Sequence, residues 1–170
     1  MKNIEIIRIK EGCKEYIEIA NDANVEIIAE KNSEARIIDV TDSNVLVIVG
    51  ENSKVNYISV KNKNSKNPSI KKAEVEKDGK IIWTECCFGT GIIRSVTKTE
   101  LIGDGSESES LGVIFGNEKE IFEIKNEVVH IGNRSKSNML TRVVLDNEAT
   151  ANYNGLVRVT PNAKGCRGYQ

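Results

Sequence analysis

A ten-residue motif repeats four times in the first third of the chain, and it restricts the available folds more than any other feature. Each copy has an Asp or Asn, a small residue, a variable residue and a short run of mainly apolar residues. The copies occupy residues 22–28, 32–38, 42–48 and 52–58. An Asx side chain can bond the backbone two residues on, and it tolerates left-handed backbone angles. Each copy therefore predicts a tight turn followed by a short strand.

The repeat continues downstream in weaker form, with copies that begin at Asp78, Asn133, Asn147 and Asn162. Short strands at this spacing occur in β-sandwiches and in β-helices. A sandwich has no reason to reuse one local motif, whereas the coils of a β-helix stack about 4.8 Å apart, so that equivalent turns recur at every level. We therefore predict an all-β fold, a right-handed parallel β-helix (solenoid) of short strands with Asx and small-residue corners.

The apolar composition agrees with strands. The chain has 38 Ile and Val residues together, against 6 Leu and 8 Ala, and it has 18 Asn. β-Branched side chains fit a pleated surface and lose rotamer freedom in a helix, which excludes an all-helical protein. We expect one domain over residues 1–170 with roughly seven or eight coils. A polar, lysine-rich segment at about residues 61–70 predicts a solvated loop insertion at a corner.

The buried positions of the β-helix can also be predicted. Val25, Ala35, Val45 and Val55 occupy the same place in the four clear copies of the motif. Because successive strands of a two-sheet β-helix belong to different sheets, we expect these four side chains to be buried alternately on the two sheets.

The charge balance argues against several classes of partner. There are 24 Lys and Arg residues and 25 Asp and Glu residues, a net charge of −1, so we expect no nucleic acid and no anionic membrane as a partner. The longest apolar runs, such as residues 45–49, are far shorter than the roughly 20 residues that span a bilayer. The first residues do not resemble a signal peptide. We expect a cytoplasmic protein whose cysteines are reduced thiols.

The cysteines and the single histidine are the candidate ligands. Cys86 and Cys87 are adjacent, so in a strand they point to opposite faces, and no pair of C-x₂-C motifs predicts structural zinc. Each of Cys13, Cys86, Cys87 and Cys166 fits either core packing or a ligand role. His130 fits either a structural role, with its ring bonded to stacked backbone at a corner, or ligation or proton transfer.

Two enzyme classes have little support. The segment 89–91 (Gly-Thr-Gly) is too short for a nucleotide loop and lacks the lysine of a P-loop. A carbohydrate-active β-helix needs convergent carboxylates, and Glu107 and Glu109 form the one obvious pair on a shared strand face. We interpret the stretch 104–110, in which these acids alternate with serines, as a solvated strand face rather than a cation site.

The second half contains an ordered set of five segments. They are residues 80–84 with Trp83, 88–91, 101–106, 129–137 with His130, and 153–159. The set reads as a strand with Trp, a Gly turn, an L-x-G-x-x-S corner, a His followed by a polar run that ends in Ser, and a G-x-V-x-V strand. In this order it resembles the central β-helix of the SufB/SufD iron–sulfur cluster assembly proteins. With the upstream repeats, the resemblance covers roughly residues 15–170.

The chain also departs from the family pattern. Complete members continue past the position of Tyr169 and Gln170, through further coils with a cysteine and a histidine tied to cluster assembly. They end in helices that dock an ABC-type ATPase. The early-strand cysteine of SufB falls near Lys31 here. The resemblance therefore implies a SufB/SufD-like scaffold or accessory protein, not an enzyme, without the family's usual ligand residues.

The resemblance also implies cofactors and partners. The cofactor would be a transient iron–sulfur cluster, with Cys86, Cys87, Cys166 and His130 as candidate cluster or iron ligands. The partner would be a second copy or a SufB/SufD-like protein, bound through the solenoid end around residues 153–170. The family's ABC-type ATPase is a further candidate, although its docking helices are missing. The alternative function is a β-helical, homo-oligomeric interaction module without cluster chemistry.

Overall fold

A computed structural model describes residues 4–65 and 67–170 of the chain. These residues form strands joined by turns and bends. The strands are β1 (Ile4–Ile9), β2 (Lys14–Ile19), β3 (Asn24–Ala29), β4 (Glu34–Asp39), β5 (Asn44–Val49), β6 (Lys54–Lys61), β7 (Ser69–Val75), β8 (Lys80–Phe88), β9 (Ile92–Leu101), β10 (Glu107–Gly116), β11 (Ile121–His130), β12 (Lys136–Leu145), β13 (Thr150–Val159) and β14 (Arg167–Tyr169). Among the described residues there is no helix that could cross a membrane.

The strands form two seven-stranded parallel sheets. The odd-numbered strands make one sheet and the even-numbered strands the other, each in coil order along the axis. Ile4 pairs with Asn24, so the first coil has 20 residues, whereas Ile92 pairs with Ile121, so a later coil has 29. The later coils are longer because their strands reach ten residues instead of six. The prediction of an all-β parallel β-helix is confirmed.

The predicted core positions are confirmed as well. Val25, Ala35, Val45 and Val55 are at most 3% exposed, and they lie alternately on the odd and the even sheet. Their side chains fill the space between the two sheets with those of the neighbouring coils. The lone tryptophan, Trp83, belongs to the same cluster, and its Nε1 donates to Thr99 Oγ1 over 2.9 Å.

The corners are of two kinds, which the ten-residue motif did not distinguish. Left-handed residues lie two positions before each even strand, at Gly12, Asn32, Asn52, Asp78, Gly105, Arg134 and Gly165. In the later coils, Glu118 and Asn147 are also left-handed, three positions before the odd strands β11 and β13. Asn52 Nδ2 donates to Asn32 Oδ1 over 2.8 Å, so this corner forms a side-chain ladder along the axis. Asp42 has no positive φ, and its carboxylate instead accepts from Lys61 Nζ. The turn chemistry in the first coils therefore repeats every 20 residues, because one coil contains two different corners.

The polar insertion differs in part from its prediction. The connection between β6 and β7 covers residues 62–68, of which residue 66 lies outside the described part of the chain. Lys61 belongs to β6 and is 2% exposed, and Ser65 is also buried. Ser69, the first residue of β7, is buried too. The expectation of a fully solvated segment is wrong for these three residues; Lys61 points inward and donates to Thr41 O and Asp42 Oδ1.

Candidate functional site

A row of polar side chains runs along the interior of the solenoid. In the even sheet, the register aligns Asp39, Ser59, Glu85, Gly112 and Thr141 from coil to coil. In the odd sheet, the register aligns Lys71, Thr97, Asn126 and Gly155. The two sets face each other across the interior, since the ammonium of Lys71 bonds the carboxylate of Glu85. We call these nine positions, of which seven carry polar side chains and two are glycines, the interior polar row.

An ion pair lies in the middle of the interior polar row. Lys71 Nζ donates to Glu85 Oε1 and, over 3.0 Å, to Ser59 Oγ. Ser95 Oγ donates to the same carboxylate over 2.6 Å. Burial alone would raise the pKa of Glu85, but the charge and hydrogen bond of Lys71 outweigh it and hold the pKa below its ordinary value. Glu85 is therefore a carboxylate at neutral pH, neutralised by a lysine whose side chain is 1% exposed.

A second buried lysine lies near this pair. Lys61 Nζ donates to the backbone oxygen of Thr41 and, over 3.2 Å, to Asp42 Oδ1. Burial and the nearby charge of Lys71 lower the pKa of Lys61. Lys61 also lines a surface cleft of about 270 Å³, together with Asp42 and Lys63. The cleft thus lies at the corner where Lys61 meets Thr41 and Asp42.

Asp39, the first residue of the interior polar row in the even sheet, has hydrogen-bond partners for both carboxylate oxygens. Asp39 Oδ1 accepts from the backbone N and Oγ1 of Thr41 over 2.8 and 2.6 Å, and Asp39 Oδ2 accepts from Tyr57 Oη over 2.8 Å. Burial and the adjacent Asp39 charge raise the pKa of Tyr57, so its hydroxyl keeps its proton. These contacts fix the carboxylate of Asp39 by hydrogen bonds rather than by a metal ion.

Cys86 and Cys87 point to opposite faces of β8, as predicted. Cys87 is 1% exposed and packs in an apolar cluster with Ile114. Burial, with a contribution from the Glu85 charge, raises the pKa of both thiols. The thiolate is the form that binds metals, so a ligand role would require either thiol to release its proton on binding.

A small cavity beside Cys87 carries polar atoms without partners. Ser110 Oγ and Asn126 Oδ1 are buried, and no hydrogen-bond partner for either occurs in the described chain. Both residues line a cavity of about 20 Å³, together with Glu85 and Cys87. That volume matches a molecule about the size of one water, which needs two or more polar partners.

His130 lies at a different corner, at the end of β11. His130 Nδ1 lies 2.8 Å from Ser135 Oγ, and His130 Nε2 lies 2.9 Å from Ser137 Oγ. Ser135 Oγ is also 3.0 Å from Gly132 O and 3.3 Å from Cys166 Sγ. The ring therefore bonds serine hydroxyls through both nitrogens rather than the stacked backbone that the sequence suggested.

The structure brings together only part of the predicted ligand set. His130 and Cys166 are joined through Ser135, whereas Cys86 and Cys87 lie near the end of β8, in a different sheet from His130. In residues 4–65 and 67–170, no three His, Cys, Asp or Glu side chains are placed to hold a metal ion. Iron–sulfur clusters usually take four protein ligands. The described residues thus place His130 and Cys166 at one corner and Cys86 and Cys87 on opposite faces of a strand in the other sheet.

The charged interior is the feature that sequence analysis missed. A usable signal exists in β8, where Ile81, Trp83 and Cys87 are the inward residues, so that strand alternation also places Glu85 inside. In β6, the inward positions of Val55 and Tyr57 likewise place Lys61 inside. Charged residues at inward positions thus mark the polar section of this solenoid.

The buried histidine predicts a pH-dependent stability. Burial lowers the pKa of His130. The unfolded chain takes up a proton at this side chain below about pH 6.5, while the folded chain does so only at lower pH. The unfolded state then binds more protons, so the free energy of unfolding falls as the pH drops below about 6.5. Urea unfolding at a series of pH values measures this fall.

The control for this measurement is His130→Asn, which retains a hydrogen-bonding side chain without titrating. We expect a smaller dependence of stability on pH in this variant over the same interval. An equal dependence in both proteins would mean that other groups cause the loss of stability in acid.

Comparison with known proteins identifies the family. Residues 13–170 match the family model described as "SUF system FeS cluster assembly, SufBD core domain". The iron-sulfur cluster assembly SufBD family protein slr0074 of Synechocystis sp. is 28% identical over 92 residues, which are 54% of this chain and 19% of that protein. The SufBD family protein ycf24 of Porphyra purpurea is 29% identical over 93 residues, 55% of this chain and 19% of that protein.

A mycobacterial relative shows the same pattern of coverage. The SufBD family protein ML0593 of Mycobacterium leprae is 26% identical over 104 residues, which are 61% of this chain and 12% of that protein. The matched region thus spans about a fifth or less of these three relatives. The family match covers nearly all of the β-helix, including the interior polar row and the corner of His130. The chain belongs to the SufBD core domain family of the SUF system.

Proposed function

We propose that this protein acts in iron–sulfur cluster assembly as a SufB/SufD-like scaffold or accessory protein. The observation that carries the proposal is the family match over residues 13–170, which coincides with the parallel β-helix. The cluster is cargo in this proposal rather than a resident cofactor. The chain would hold it transiently or position a partner that does.

The accessory role accounts for the distribution of ligands. Cys86 and Cys166 are partly exposed, whereas Cys87 and His130 are buried and both ring nitrogens of His130 are bonded to serines. A cluster at either exposed cysteine would therefore need most of its ligands from a second protein or from small thiols. This arrangement suits a protein that shares cluster binding with a partner.

The end of the solenoid offers a place for that partner. In the described chain, β13 pairs with β11 alone, and β14 covers only residues 136–138 of β12. Open strand edges carry free backbone donors and acceptors, which another chain can pair. A second copy or a SufB/SufD-like protein bound around residues 153–170 would satisfy these groups.

The second candidate is an interaction module without cluster chemistry. It is favoured by the burial of Cys87 and by the lack of a three-ligand group in the described residues. The two candidates differ in one measurable property, the uptake of iron and sulfide.

Anaerobic reconstitution of the full chain with ferrous iron, sulfide and a small thiol, which can supply the remaining ligands, tests the choice. We expect the visible absorption of a cluster in the wild type, and its loss when Cys86, Cys87 and Cys166 are all changed to Ser. Cys13→Ser is the matched control, because Cys13 is exposed in the first coil. A wild type that takes up neither iron nor sulfide would favour the interaction module.

A further inference from the structure

The outer face of the even sheet carries an exposed apolar patch near the carboxyl ends of three strands. We call it the outer patch, and it consists of Phe88, Leu111, Val113, Phe115, Leu140 and Val144. These side chains are 38% to 59% exposed. Their common location follows from the register, which aligns Phe88, Phe115 and Val144 in one row across the sheet.

The side chains of the outer patch point away from the core. Strand alternation places Ser110 and Ile114 inside the solenoid, so Leu111, Val113 and Phe115 all point outward from the same strand. The remaining outward positions of β10 are charged, at Glu107 and Glu109. A strand face exposed to water needs polar residues, and here only its first half has them.

The apolar area of the outer patch is comparable to that of the centre of a protein–protein interface. Six large side chains exposed by about half leave on the order of 500 Å² of apolar surface in water, which is near the upper limit for a monomeric protein. A stable interface buries about 800 Å² per partner, with an apolar centre and a polar rim. The patch and the charged row toward the start of the same strands together form one side of such an interface, in which the exposed Arg142 lies within the patch, beside Val113 and between Leu140 and Val144.

The rim of the outer patch is complementary to itself. Lys80, Glu107 and Lys136 follow one another in a single row across the sheet, with alternating sign. Lys136 Nζ lies 2.8 Å from Glu107 Oε1. In a two-fold dimer, each surface meets an identical copy of itself. A rim with charges of one sign would repel its copy, whereas a rim with charges of both signs allows opposite charges to meet. The net charge of −1 adds almost no repulsion between copies.

We propose that two copies of this chain pack face to face through the outer patch. The contact is made by side chains on the sheet face, so it does not use the open strand edges at the solenoid end. It does not rest on the proposed role in cluster assembly, but it would cover Cys86, which the register places beside Val113 on the same outer face. It adds a second surface to the one expected around residues 153–170.

Sedimentation equilibrium over a range of concentrations tests this proposal on the full chain. We expect a dimer for the wild type and, for the double variant Val113→Glu/Phe115→Glu, a dissociation constant raised at least tenfold. Leu140→Glu provides a second test on the neighbouring strand. Circular dichroism shows whether each variant keeps its strands, as we expect for substitutions at outward positions.

Ile70→Glu is the matched control, since Ile70 is 39% exposed on the outer face of the other sheet. A dimer that survives Ile70→Glu and is weakened in both patch variants supports the proposal. A monomeric wild type, or patch variants that dimerise as strongly as the wild type, would overturn it.

Discussion

Lys71→Met is expected to lower the free energy of unfolding by about 3–5 kcal/mol, because it leaves a buried carboxylate without its counter-ion. Lys71 is 1% exposed at its side chain and Glu85 is 14% exposed. Without the ammonium, Glu85 keeps only the hydrogen bond from Ser95 and must be buried with an uncompensated charge or be protonated. Chemical denaturation of the variant and the wild type at neutral pH measures the loss.

Two further variants separate this explanation from a simple packing effect. Lys71→Met/Glu85→Leu removes both charges, and we expect it to recover most of the lost stability. Lys98→Met is the surface control, because its pair with Glu100 is 33% exposed on both sides, and it should cost less than about 1 kcal/mol. Equal losses of unfolding free energy for Lys71→Met and Lys98→Met would show that the buried ion pair contributes no more to stability than the surface pair.

Gly132→Ala is expected to cost more than about 4 kcal/mol or to prevent folding. A Cβ atom at Gly132 would lie 2.2 Å from the backbone oxygen of Gly103, in the coil stacked beneath it. The obstacle is backbone rather than a flexible side chain, and Gly132 N also bonds Leu101 O. The two coils could accept the methyl group only by moving apart along the axis. Soluble yield and the midpoint of thermal unfolding report the effect.

Gly12→Ala is the control for Gly132→Ala. Gly12 has a φ of 70°, so alanine is strained there, but nothing lies within 4 Å of the added carbon. We expect a cost of about 1–2 kcal/mol, from the left-handed conformation alone. If the two substitutions cost the same, close stacking of the coils would not be what excludes a side chain at Gly132.

The sequence predicted the architecture well because its information is local and repeated. Strand alternation and Asx turns are set by neighbouring residues, so Val25, Ala35, Val45 and Val55 could be placed without knowing which strands pair. The motif placed Asp42 and Asn52 in equivalent turns, and this was wrong. Asn52 is left-handed, whereas Asp42 is not and bonds Lys61, a residue of a later coil.

The interior of the site could not be predicted in the same way. Lys71 and Glu85 lie in different sheets, 14 positions apart in the chain, and they meet only because of the length of the turn between β7 and β8. The contact between Cys166 and Ser135 likewise spans 31 positions. The candidate ligands Cys86, Cys87, Cys166 and His130 were chosen by residue type, which carries no information on the coil or corner that each one occupies.

The stacking of the coils also has a consequence for how the chain folds. Strand pairs join residues from 20 apart, as for Ile4 and Asn24, to 31 apart, as for Lys136 and Arg167. No strand can form its interstrand hydrogen bonds before a loop of that size closes. The entropic cost of closing the loop therefore comes before the stabilisation by those hydrogen bonds. Such non-local pairing is typical of slow folding. Once two coils have formed, however, their exposed edge is a template for the next, so folding would spread along the axis from whichever coils pair first.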